Sequence, residues 1–69
     1  MQGPKRGTVT EFDAPRGLGS VTDAAGATWT FHCTAIADGS RMIEIGTEIV
    51  FLIAPGGLGR FEAREISPV

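Results

Sequence analysis

Sixty-nine residues, 42% of them hydrophobic and 20% charged, predict one folded domain spanning residues 1–69, with no room for a second core. A net charge of −2 gives no overall attraction to phosphate or to an anionic membrane, and Cys33, the single cysteine, excludes an internal disulfide. The opening stretch Met1-Gln-Gly-Pro-Lys-Arg-Gly7 has no apolar run and does not read as a signal peptide, and the apolar run 49–54 is too short to cross a bilayer, so a cytoplasmic location is expected.

The ten glycines act as punctuation between short strands. Residues 7–13, Gly-Thr-Val-Thr-Glu-Phe-Asp, are β-branched and aromatic and predict a first strand. Ala14-Pro15-Arg16-Gly17 reads as a turn, residues 18–22 as a short strand, and 23–27 as a second turn. Residues 28–33 alternate large apolar with polar side chains, which predicts a third strand with Trp29, Phe31 and Cys33 on one face and Thr30 and His32 on the other. A single helical turn or irregular crossover is expected over 34–37, then a polar loop over 38–41. The strongest strand pattern is 47–54, with Ile49, Phe51 and Ile53 inward and Val50 and Leu52 outward. A turn over 55–59 and a last strand over 60–66 complete the chain. Five short strands with a longer third connection predict an all-β, five-stranded OB-fold barrel, with an SH3-type sandwich as the competing arrangement.

The chain also resembles the bacterial cold-shock proteins over residues 7–66. The family's G-x-V-K-W-F-N corresponds to Gly7-Thr-Val-Thr-Glu-Phe-Asp13, and its K-G-F-G-F-I to Arg16-Gly-Leu-Gly-Ser-Val21. Its V-F-V-H-F-S-A-I corresponds to Trp29-Thr-Phe-His-Cys-Thr-Ala-Ile36, and its E-x-G-x-x-V-x-F to Glu44-Ile-Gly-Thr-Glu-Ile-Val-Phe51. The resemblance implies a cold-shock-domain-like barrel that binds single-stranded RNA or DNA by stacking bases on outward aromatic rings. Most of those rings are replaced here, by Glu11, Leu18, Ser20, Thr30 and Cys33, and Phe12 and His32 are what remains. Each stacked base contributes roughly 1–3 kcal/mol, so the loss is on the order of 5 kcal/mol even where losses add poorly. A micromolar complex has only about 8 kcal/mol in all.

Weak, salt-sensitive nucleic-acid binding through Lys5, Arg6, Phe12, Arg16, Leu18, His32 and Arg60 is the reading that the resemblance favours. The alternative is a protein-interaction or self-association barrel, with Leu18, Val50 and Leu52 as the interface to a protein partner or a second copy. Gly17 and Gly19 read as residues required by barrel curvature, and Trp29 as an enlarged core residue. Enzymatic activity is not expected: Ser20 and His32 on adjacent strands lack an orienting carboxylate, and Cys33 and His32 alternate to opposite faces. One histidine and one cysteine do not make a metal site, and no cofactor is implied.

Overall fold

The structure, a computed structural model, describes residues 4–56 and 59–69. Five strands form in chain order: β1 (Lys5–Asp13), β2 (Leu18–Asp23), β3 (Thr28–His32), β4 (Glu48–Pro55) and β5 (Phe61–Pro68). One 3-10 turn, Cys33–Ala35, follows β3 directly. The predicted strands are all present. β1 begins two residues earlier than expected, and the last strand is displaced toward the C-terminus. Residues 57–58 of the turn after β4, and residues 1–3 of the opening stretch, lie outside the described residues.

The strands make one antiparallel sheet in the order β3-β2-β1-β4-β5. β3 and β5 are its edges, and no ladder joins them. Among the described residues their side chains meet in the core, and the backbone pairing is one isolated parallel bridge from Ile36, after β3, to Ile66, with the Ala37 N–H donating to the Ile66 carbonyl at 2.8 Å. The expected OB-fold barrel is therefore corrected to an open five-stranded sheet. The physical cause lies at the end of β3: after five residues the backbone turns into the 3-10 segment at Cys33, so the strand ends without a ladder to β5.

The register shows which groups the β3 edge presents. The Cys33 N–H donates to the Gly17 carbonyl, and the Ala27 carbonyl accepts from the Asp23 N–H, so residues 27 and 33 face β2. By antiparallel alternation, Trp29 and Phe31 face β2 as well, and Thr28, Thr30 and His32 turn their backbone groups outward. A short edge carrying polar side chains is a common way to limit edge-to-edge pairing.

Each of the five strands contributes to one buried cluster: Val9, Val21, Phe31, Ile49, Phe51, Ala63 and Ile66, joined by Ile36 from the segment after β3. Trp29 and Ile53 pack against it from the expected side. Cys33 does not continue the alternation. It sits half-buried in the 3-10 turn, with its Sγ 2.9 Å from where a Cβ on Gly17 would lie.

Two bulges set the facing of the remaining side chains. In β1 the pairing shifts between Val9 and Glu11, so that Phe12 opposes Gly19. The Val9 N–H donates to the Thr47 carbonyl and the Val9 carbonyl accepts from the Gly46 N–H, at 3.0 and 2.8 Å, which ties the approach to β4 onto the bulge. In β5, Leu52 pairs with Arg64 and Val50 with Ser67, leaving Glu65 and Ile66 opposite Phe51. Glu65 takes φ 54°, a left-handed conformation rare for a side-chain-bearing residue. The bulge turns Ile66 fully into the core, where its carbonyl meets Ala37. Glu65→Gly should relieve the backbone strain and raise stability by up to about 1 kcal/mol. A β-branched residue there should lower it, and urea unfolding of both variants checks the sign.

Candidate functional site

The candidate residues do not come together. Phe12 and Leu18 share one groove, of about 550 Å³, between the ends of β1 and β2 and the loop residue Ile45. His32 lines a different cleft, of about 290 Å³, with Glu62, Arg64 and Glu65. Arg6 lines a third, of about 200 Å³, near Asp23 and Val69. Lys5 begins β1 opposite Phe51, Arg16 lies exposed in the β1–β2 turn, and Arg60 lies exposed before β5. The basic side chains are thus dispersed over the molecule.

The ring that was to stack on a base is engaged internally. Phe12 is half-buried, packs against the core and lies parallel to Phe31, with ring centroids 6.0 Å apart and an interplanar angle of 4°. The arrangement follows from the register, since Phe12, Gly19 and Phe31 form one row across β1, β2 and β3. Gly19 has no side chain, so the two rings meet over its backbone. A Cβ there would stand 2.6 Å from both the Glu11 carbonyl oxygen and Cζ of Phe31. Gly17, by contrast, is required by its φ of 67° in the turn that returns β1 to β2. These two causes replace barrel curvature as the reason for the glycines.

Glu11 and Asp13 line the groove that holds Phe12 and Leu18. The Asp13 carboxylate accepts the Arg16 backbone N–H at 3.4 Å. Among the described residues neither carboxylate forms a salt bridge; the single pair found is Arg64 with Glu62, at 3.9 Å. An apolar groove bordered by two such carboxylates repels a phosphate backbone.

Of the apolar surface residues, Leu18 is likewise separated from Val50 and Leu52. Leu18 lies opposite Asp13 at one end of β1, and Val50 opposite Arg6 near the other end. Seven residues of strand separate those rows, roughly 23 Å at full extension. Leu52, opposite Arg64, lies two residues beyond Val50 on the same face of β4. Leu18 and Leu52 are about 40% exposed and Val50 is half-buried, and the three do not merge into one patch. The interface reading, whether with a protein partner or in a homodimer, is corrected on that ground.

Among the described residues the most heavily hydrogen-bonded polar side chain is Asp23, expected from the sequence only as part of a turn. Only 8% exposed, it accepts at Oδ1 from the backbone N–H groups of Ala25 and Ala27, at 2.9 and 3.0 Å, and at Oδ2 from Trp29 Nε1 at 3.0 Å. The indole bond above all, then the Ala27 amide, holds its carboxyl below the ordinary value, with smaller help from the Ala25 amide and the charge of Lys5 outweighing the effect of burial. The signal was present in the sequence: an aspartate closing a strand, glycine three residues later and tryptophan six residues later. Trp29 is accordingly a core-packing residue with its polar end tied to the hairpin.

The Ser20–His32 pairing expected on adjacent strands is offset. Ser20 opposes Thr30, while His32 opposes Leu18, one two-residue repeat or roughly 7 Å further along. Among the described residues no group of three or more His, Cys, Asp or Glu side chains is placed to hold a metal ion.

No family model matches the chain, and no curated protein is significantly similar to it. The resemblance to the cold-shock proteins therefore does not stand as a family assignment. It rested on the spacing of glycines and aliphatic residues, and an open antiparallel sheet with tight turns, bulges and a small core uses the same spacing. With the barrel absent, the basic residues dispersed and Phe12 stacked internally, the single-stranded RNA or DNA reading falls with it. Among the described residues no helix is long and apolar enough to cross a membrane.

Proposed function

We propose that the chain works without catalysis, as a single small β domain in the cytoplasm. The observation that carries this reading is the role of Asp23. This buried ionisable side chain, the group best placed to act as a base or to orient one, has both oxygens committed to the Ala25 and Ala27 amides and the Trp29 indole. General acid–base work requires a carboxylate or imidazole within reach of a reacting proton. Asp23 faces its own hairpin instead. His32 and Ser20 stand in different rows of the sheet, and His32 and Cys33 are successive residues at the end of β3. A free thiol with no disulfide partner in the chain supports the cytoplasmic location.

Turnover assays with chromogenic carboxylic and phosphate esters test this directly. Wild type, Ser20→Ala and His32→Ala should all match the buffer rate. Turnover by wild type that disappears in a folded His32→Ala variant would overturn the reading.

A further inference from the structure

We propose that the groove between the ends of β1 and β2 is a binding site for a small organic cation with a flat apolar body, such as an arylalkyl ammonium. Its floor is formed by the Gly19 strand, and Phe12, half-buried, lines the same groove. Leu18 and Ile45, 41% and 63% exposed, supply apolar walls that water otherwise covers. A volume near 550 Å³ suits one small molecule. The charge is supplied by Glu11 and Asp13, which line the same groove and have no salt-bridge partner among the described residues. Two anionic groups bordering an apolar groove attract a cation and repel an anion. Such binding needs no catalysis, and its selectivity is opposite to that of a phosphate-binding face.

The test uses benzyltrimethylammonium as the probe and benzoate as its anionic counterpart, each followed by amide chemical shifts of the full chain. Benzyltrimethylammonium should cause saturable shifts at Glu11, Leu18, Gly19 and Ile45, weakening with added salt, and benzoate should cause none there. Glu11→Gln with Asp13→Asn should weaken binding at least ten-fold. Because Asp13 also accepts a turn amide, Glu11→Gln alone serves as a second variant and should weaken binding several-fold, with Trp29 fluorescence unchanged as the check on folding. Absence of saturation in wild type, an equal response to benzoate, or unaltered affinity in the folded Glu11→Gln variant would each overturn the proposal.

Discussion

Gly19→Ala is expected to lower stability by about 3 kcal/mol or more, enough to leave much of a domain this small unfolded. The added methyl would meet the Glu11 carbonyl oxygen on one side and the Phe31 ring on the other, each at 2.6 Å. Moving Phe31 is costly because it is fully buried and stacked on Phe12. Moving Glu11 means displacing β1 at its bulge. Placing Gly19→Ala in a Phe31→Leu background should recover only part of the loss, since the carbonyl remains in the way. Gly26→Ala is the useful contrast. Its Cβ would enter open space, so the cost comes from its φ of 88° alone and should be roughly 1–2 kcal/mol. Urea unfolding followed by Trp29 fluorescence measures all of these. A loss under about 1 kcal/mol for Gly19→Ala would mean that the ring row is placed wrongly.

Removing the Asp23 carboxylate should have the second largest effect. Asp23→Ala leaves the amides of Ala25 and Ala27 and the half-buried Trp29 indole without their acceptor, and the melting temperature should fall by roughly 10 °C. Asp23→Asn should be intermediate: an amide oxygen still accepts from the two backbone groups, but its NH₂ group meets the indole donor. The pH dependence has a definite sign. Because the folded carboxyl titrates below its ordinary value of 3.8, its contribution is fully present above that value in the unfolded chain. It is lost as pH falls through the lower folded value. The gap in melting temperature between wild type and Asp23→Asn should therefore be constant near neutrality and shrink below about pH 4. A gap that widens with acid would contradict the assigned hydrogen bonds.

Much of the sheet was legible because alternation survives in short strands. Trp29 and Phe31 on β3, and Ile49, Phe51 and Ile53 on β4, face the core side as the period-two pattern requires. Phe12 was misread because the bulge between Val9 and Glu11 changes the row in which its ring lies, and nothing in Gly7-Thr-Val-Thr-Glu-Phe-Asp13 announces an extra residue. The bulge at Glu65 was equally hidden, since a glutamate in the left-handed region gives none of the warning that a glycine would. Closure was misjudged for a different reason. Whether two edges meet depends on where the chain goes after His32: a helical turn over 34–37 was legible and is found at Cys33–Ala35, but its effect on closure is a tertiary outcome.

The candidate site shows the same division. Residue types were readable one by one, but their meeting was not. Of the seven proposed nucleic-acid contacts, the fold places Arg6, Phe12, Leu18 and His32 in three separate clefts and the other three in none of these, while bringing Glu11 and Asp13 to the groove that holds Phe12. Leu18 stands apart from the half-buried Val50 and its neighbour Leu52, and ordinary protein surfaces carry exposed aliphatic residues without any partner.

The account depends most on the sheet remaining open between β3 and β5, and inter-strand nuclear Overhauser effects combined with amide exchange measure this directly. Backbone pairing between the two segments should be confined to the Ile36–Ile66 bridge, with side-chain contacts only inside the core that Phe31 shares with Ala63 and Ile66, the Ala37 amide protected and those of Thr28 and Thr30 exchanging rapidly. A continuous series of cross-strand contacts from β3 to β5, with the Thr28 and Thr30 amides protected, would show a closed barrel and contradict the account.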